Sequence, residues 1–353
     1  MQKFIILPLF ALLSFFPWHC SAKLVIADGG AAGYLIANNL AATTLAISMD
    51  ADIINFDLVL SNDNEVVVFS SPYLEHATDV ADIFPDRLRE DQHYYVLDFT
   101  MEELKRLTLQ DPEKRFPASL HPKFTITTLD EQLSLIQSLE KSLNRSVRVA
   151  VTLVKPWVHR KEKRDLASPV VSTLLQYGYN GQSDKILLLS YDVEELQRIR
   201  KQLLPASQMQ IKLVQLIDQP DGEEYMVEEW GEYISYSYDL LFSNSGLRAL
   251  AGSVTAIALP KDMLVDAQGN LKNTRFVSNA QKLGTMIFTF PVQYEPQTRL
   301  AFSKSFEEEL EFLYFTVGVD GIFTDYCDAV SRFLKNRVQN LWIVGLKRNE
   351  SIS

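Results

Sequence analysis

The sequence is poor in cysteine, with only Cys20 and Cys327 among 353 residues. If the first 22 residues are removed on export, Cys327 remains alone, so no internal disulfide can form. We therefore expect a fold held by its hydrophobic core. After residue 22 no stretch is long and apolar enough to span a bilayer, which needs about 20 apolar residues. A transmembrane segment is not expected.

Basic residues are also under-represented. The chain carries 34 Lys and Arg against 45 Asp and Glu, which gives a net charge of −11. Nucleic-acid binding depends on a cationic surface, so the composition argues against a nucleic-acid partner. The same balance gives no general attraction to an anionic ligand, and any phosphate recognition would have to be local. The chain also lacks a Walker loop, a zinc-finger spacing and a nucleophile elbow.

Residues 1–22 have the composition of a secretory signal peptide. Lys3 precedes an apolar run over residues 4–16, and the small residues Ser21 and Ala22 end the segment. Cleavage after Ala22 predicts a periplasmic or secreted protein. Lipidation of Cys20 is the alternative, but the bulky residues directly before it do not favour a lipoprotein.

Apolar runs that end in polar residues alternate with helical patterns from residue 24 onward. Residues 24–28, 52–60 and 65–69 read as strands, and residues 39–49 as a helix. Strand, helix and strand with polar residues at the strand ends is typical of an α/β barrel. Further strands are predicted at residues 147–154, 185–190, 210–217, 254–258, 285–290 and 318–326.

Residues 72–127 interrupt this rhythm and are rich in Asp, Pro, Tyr and His. A solvated loop is one interpretation. Long excursions in compact domains are usually functional, so we expect an inserted lid. The barrel pattern resumes at Thr128, which forms a predicted capping box with Glu131.

The two ends of this pattern carry a family resemblance. From Asp28 to Leu35 the chain reads Asp-Gly-Gly-Ala-Ala-Gly-Tyr-Leu. It resembles the His-Arg-Gly-Ala-Ser-Gly-Tyr-Leu motif of the glycerophosphodiester phosphodiesterases, bacterial periplasmic branch. Residues 318–326 are similar to that family's closing strand. The resemblance implies a (β/α)8 TIM-type barrel of the phosphatidylinositol-phospholipase-C-like phosphodiesterase kind. It covers residues 23–353 as one domain, with residues 72–127 as the inserted lid.

The family hydrolyses a phosphodiester to glycerol 3-phosphate and an alcohol. The resemblance implies catalysis by two histidines and an arginine, and their positions hold Asp28, Gly29 and Ser70. It also implies a lysine and an arginine on the substrate, where this chain has Val154 and Gln293.

The resemblance further implies a calcium site made by Glu, Asp and Glu, at positions that here hold Asn55, Asp57 and Thr152. Calcium prefers six to eight oxygens with several carboxylates, and only Asp57 is retained. Asp28 could supply a replacement carboxylate and shift the site. The other interpretation is that Asp28 and Asp57 belong to a hydrogen-bonded polar plug at the barrel mouth.

Proton transfer is affected in the same way. Histidine titrates near 6.5 and suits acid–base catalysis at neutral pH. Asp28, with a reference pKa near 3.9, is expected to be an anion, and Ser70 does not titrate usefully. Residues 159–164 are interpreted as a solvated loop, with a metal role for His159 as the alternative.

Two functions follow from these substitutions. The first is a catalytically degenerate barrel that binds a small glycerophosphodiester-like ligand or a protein partner and needs no cofactor. The alternative is an active phosphodiesterase with rearranged groups that uses calcium.

Overall fold

The computed structural model describes residues 22–112, 114–116, 123–181, 184–272 and 275–350, without side chains for residues 341–350. The predicted signal peptide lies outside these residues, apart from Ala22. Within them, no helix is both long enough and apolar enough to cross a membrane.

Twelve strands lie in the described ranges. They are β1 (Leu24–Asp28), β2 (Ile53–Leu60), β3 (Val66–Val68), β4 (Thr127–Thr128), β5 (Arg148–Leu153), β6 (Ile186–Ser190), β7 (Lys212–Leu216), β8 (Met226–Glu229), β9 (Glu232–Ser235), β10 (Ala256–Pro260), β11 (Met286–Phe290) and β12 (Gly321–Thr324).

Eight of these strands form a closed parallel barrel in the order β1, β12, β11, β10, β7, β6, β5, β2. The barrel closes where β1 pairs with β2, with Asp28 beside Asn55. The predicted TIM-type barrel is confirmed. The third predicted strand, residues 65–69, is not part of the closed barrel. It corresponds to β3, which runs antiparallel to β2 and pairs with β4 at the edge of the sheet.

Thirteen α-helices accompany the strands in the described ranges. They are α1 (Leu40–Ser48), α2 (Val80–Ile83), α3 (Met101–Leu104), α4 (Leu129–Leu143), α5 (Pro156–Lys161), α6 (Ala167–Gln176), α7 (Val193–Arg198), α8 (Leu204–Ala206), α9 (Asn244–Ala251), α10 (Lys261–Leu264), α11 (Phe276–Lys282), α12 (Phe306–Glu311) and α13 (Cys327–Glu350).

Local capping explains where two of the helices begin. Asn39 accepts hydrogen bonds from the backbone of Ala41 and Ala42 and so starts α1. Thr128 and Glu131 form both bonds of the predicted capping box at the start of α4.

The described part of residues 72–127 builds a small second core together with residues of β2 and β3. Phe99, Leu104 and Leu107 are fully buried there together with Val154, which directly follows β5. Arg115 of this insertion lies 2.8 Å from Asp325, just after β12. The insertion therefore reaches from the end of β5 to the end of β12.

The loop expected at residues 159–164 was wrong at its start. His159 lies in α5 and is 1% exposed, and its Nε2 accepts a hydrogen bond from the backbone of Leu60 at 3.2 Å. Burial lowers the pKa of His159 to about 4. This imidazole joins a helix to β2 and faces no solvent.

Candidate active site

A cavity of about 180 Å³ lies at the carboxyl end of the barrel strands. TIM-barrel enzymes place their active sites at this end. Six of the eight site residues identified from the sequence line it: Asp28, Asn55, Asp57, Ser70, Thr152 and Val154. The other two, Gly29 and Gln293, are not among its lining residues.

Strand alternation brings these side chains together. Successive residues of a strand point to opposite faces, so every second residue faces the barrel axis. Leu24 and Ile26 on β1 belong to the apolar cluster inside the barrel, and so do Ile53 on β2 and Ala150 on β5. Continuing each strand by two residues gives Asp28, Asn55 and Thr152, with Asp57 and Val154 one step further. These polar side chains thus form a layer at the carboxyl end of the strands, above the apolar interior of the barrel.

The polar side chains of this layer bind one another, and we call Asn38, Asp28, Asn55, Asp57 and Thr152 the mouth network. Thr152 Oγ1 donates to Asn55 Oδ1 at 2.9 Å, and Asn55 Nδ2 donates to Asp28 Oδ1 at 2.8 Å. Asn38 Nδ2 donates to Asp57 Oδ2 at 3.2 Å. These bonds match the polar-plug interpretation of Asp28 and Asp57.

The expectation that Asp28 is an ordinary anion was wrong. Burial, together with the carboxylates of Asp57 and Asp325, raises its pKa to about 7, while the bond from Asn55 opposes them. Burial also raises the pKa of Asp57, against the amides of Asn38 and Asn55. Two neighbouring, mostly buried carboxyls resist carrying two negative charges, and this favours one proton on the pair. The sequence could not show this, because desolvation depends on the surrounding fold.

The residues at the three metal positions do not fit a calcium site. The Asn55 carbonyl oxygen and the Thr152 hydroxyl already bind each other, which leaves Asp57 as the only carboxylate among the three. Across the described ranges, no group of three or more His, Cys, Asp or Glu side chains is placed to hold a metal ion. We therefore derive no chemical step through calcium.

The positions that the resemblance assigns to phosphate-binding cations hold Gly29, Val154 and Gln293. Gly29 has a φ of +63°, and a Cβ built on it would lie 2.8 Å from the Cβ of Ala37. The backbone there now suits glycine, and an arginine would be strained. Val154 is buried beside the insertion core, and Gln293 Nε2 lies 3.4 Å from Asp325 Oδ2.

No histidine of the described ranges lines the cavity. His76 and His93 both contact Glu75 in the insertion, and His159 is buried in α5. Among these ranges, no Lys or Arg lines it either. Among the described residues of the cavity wall, no histidine, lysine or arginine replaces the proton carriers and cations that the resemblance implies.

Sequence reasoning missed five lining residues: Tyr191, Leu216, Glu224, Phe290 and Phe323. Four of them follow the inward alternation at the ends of β6, β7, β11 and β12, which could have identified them. Glu224 lies between β7 and the β8–β9 hairpin, with Lys155 Nζ 3.7 Å from its carboxylate. That hairpin was not predicted, although Trp230 and Gly231, both with positive φ, mark its tight turn.

Comparison with known proteins identifies the origin of this architecture. Residues 29–329 match the model of the glycerophosphoryl diester phosphodiesterase family. A glycerophosphodiester phosphodiesterase of Treponema pallidum is 31% identical over 331 residues, which covers 89% of this chain and 92% of that protein. The Haemophilus influenzae protein of the same name is 30% identical, covering 89% of this chain and 90% of its own.

A solved structure shows the same fold. It is an Oleispira antarctica phosphodiesterase in complex with the product sn-glycerol-3-phosphate, and it aligns with a TM-score of 0.59 at 18% identity. The alignment covers 89% of this chain and 97% of that one.

Proposed function

This chain belongs to the glycerophosphoryl diester phosphodiesterase family, and from that premise we propose that its barrel mouth is catalytically degenerate and binds a small ligand. The observation that supports this proposal most strongly is the mouth network. Side chains at three positions that would act on substrate and metal are hydrogen-bonded to each other, in the chain Thr152, Asn55, Asp28. A cavity remains above them, so the site keeps room for a ligand, and no histidine, lysine or arginine of the described residues lines it.

The proposal is tested on the purified mature protein with glycerophosphocholine and calcium. We expect release of glycerol 3-phosphate at the background rate, because general acid–base catalysis contributes about 10² to 10⁴ per group and both histidine positions are substituted. Asp57→Ala should then leave the rate at the same background. Asp86→Ala, a change at an exposed residue of the insertion, is the matched control.

The second candidate is an active phosphodiesterase with rearranged groups. One observation favours it: a carboxyl with a pKa of about 7, such as Asp28, can give and take a proton at neutral pH. Two relatives about one-third identical also carry the name phosphodiesterase. Turnover that disappears in Asp57→Ala but persists in Asp86→Ala would establish this second function and overturn the first.

Export is part of the proposal, and it is supported by the composition of residues 1–22. A protein purified from the extracytoplasmic fraction should begin at Lys23. An N-terminal sequence that begins at Met1, or a lipid on Cys20, would contradict it.

A further inference from the structure

We propose that the ligand of the barrel mouth is a small organic cation, such as an alkylammonium, and not an anionic phosphodiester. This inference rests on the proposed binding function and specifies its ligand class. It starts from the cavity of about 180 Å³, whose wall combines carboxylates with aromatic rings.

The wall keeps a negative charge even when Asp28 and Asp57 hold one proton between them. Asp28, Asp57 and Glu224 line the cavity, and Lys155 lies 3.7 Å from Glu224, so that it offsets this one carboxylate. The contacts of Asp28 and Asp57 within the mouth network are neutral amides. Arg115 reaches the rim but lies 2.8 Å from Asp325. An anionic ligand would enter a field of its own sign, whereas a cation would compensate the carboxylates.

The aromatic rings of the cavity wall support a cationic ligand independently of the carboxylates. Tyr191, Phe290 and Phe323 all line it, with Phe290 nearly perpendicular to both neighbours at centroid distances of 6.3 and 6.1 Å. Aromatic rings attract a cation placed over their faces, and they solvate alkyl groups better than water does. Carboxylates and rings together therefore select a cation with an apolar shell, and they disfavour a strongly hydrated metal ion.

The size of the cavity limits the ligand further. Pockets for drug-sized molecules have volumes of about 300 to 1,000 Å³. A cavity of about 180 Å³ is smaller and suits a compact ammonium head group. The rest of a larger ligand would extend past Ser70, which is exposed at the edge.

The experiment is calorimetric titration of the mature protein with three cations: choline, tetramethylammonium and guanidinium. The matched control for choline is 3,3-dimethylbutan-1-ol, which has the same shape without the charge. Calcium and glycerol 3-phosphate are titrated in parallel. We expect at least one organic cation to bind, the neutral alcohol to bind at least about tenfold more weakly than choline, and glycerol 3-phosphate not to bind.

Two variants locate the binding. Phe290→Leu should weaken binding of the organic cation by roughly 2- to 30-fold, the range for loss of one cation–π contact. Glu224→Gln should also weaken it, whereas Glu223→Gln, at the neighbouring exposed residue, should not. Circular dichroism and the unfolding midpoint of each variant verify that the fold is retained.

The inference is overturned if none of the three cations binds at tens of millimolar, or if the neutral alcohol binds as well as choline. It is also overturned if calcium displaces the organic cation and depends on the same residues, since the site would then be a metal site. Hydrolysis of glycerophosphocholine is measured separately, so failure of the cation inference does not by itself decide whether the protein is catalytically degenerate.

Discussion

Asp28 and Asp57 lie at the same end of this barrel as Asp192, and the surroundings of the pair differ from those of Asp192. Asp28 and Asp57 in the mouth network bind the amides of Asn55 and Asn38. Asp192, which follows β6 and caps α7, lies 2.5 Å from Arg160. Burial raises the pKa of Asp192 as well, but the Arg160 guanidinium opposes that shift. For Asp28 the neighbouring charges are the carboxylates of Asp57 and Asp325, which add to it.

This difference distinguishes Asp192, whose role is structural, from Asp28, which is available to bind a proton or a positive ligand. At Asp192 an arginine offsets part of the cost of burying the charge, and the carboxylate caps α7. At Asp28 no cation is in contact within the described residues, so the carboxylate remains destabilising until a proton or a positive ligand arrives. Uncompensated buried charges are a feature of functional sites, because the fold alone gains nothing from them.

The largest expected effect is on the pH dependence of stability. The pKa of Asp28 is raised from 3.8 to about 7 in the folded protein, so the native state binds more protons than the unfolded chain between these values. Its contribution to the free energy of unfolding therefore falls as the pH rises from about 4 to about 7. Asp28→Asn should remove that loss and stabilise the protein by roughly 2–4 kcal/mol at pH 8, and by little at pH 4.

Urea unfolding at both pH values measures this change. Asp86→Asn on the exposed part of the insertion is the control and should show no such pH dependence. If Asp28→Asn changed the free energy of unfolding equally at both pH values, Asp28 would lack the raised pKa on which the comparison with Asp192 rests.

The same substitution at Asp192 should stabilise the protein less, because Arg160 offsets part of the cost of burying this charge. Asn keeps the helix cap, since Asn and Asp cap about equally well, but it loses the ion pair with Arg160. We expect the free energy of unfolding to rise by less than about 2 kcal/mol, measured by urea denaturation at pH 7. Asp184→Asn, which removes an exposed partner of Lys212, should change stability little. An Asp192→Asn variant that gains as much stability at pH 8 as Asp28→Asn would show that Arg160 does not compensate this carboxylate.

The smallest effect concerns the mouth network itself. Thr152→Val keeps the shape of the side chain but removes the hydroxyl that donates to Asn55. The loss of one buried hydrogen bond should cost about 0.5–1.5 kcal/mol, detected as a lower unfolding midpoint. Thr125→Val at an exposed position of the insertion serves as the control. An unchanged midpoint in Thr152→Val would mean that the network does not stabilise the mouth.

Much of the architecture could be predicted from the chain. The strand positions, the cap at Asn39 and the box formed by Thr128 and Glu131 follow from local patterns, because a helix start or a buried strand depends mainly on nearby residues. The wrong prediction at His159 also came from reading a local pattern. A run of basic residues reads as a solvated loop, whereas packing against β2 buries this imidazole inside a helix.

The sequence by itself determined the barrel and the position of the polar residues at its mouth, since period-two alternation assigns every second strand residue to the interior. It also determined that Asp28, Gly29 and Ser70 occupy the positions where the resemblance implies two histidines and an arginine. Only the tertiary structure decided that Asn55 binds both Asp28 and Thr152, that Glu224 joins the cavity, and that the backbone at Gly29 does not suit a larger side chain. The physical reason is that charge, burial and hydrogen bonding depend on distances between residues far apart in the chain, and closure of the barrel sets those distances.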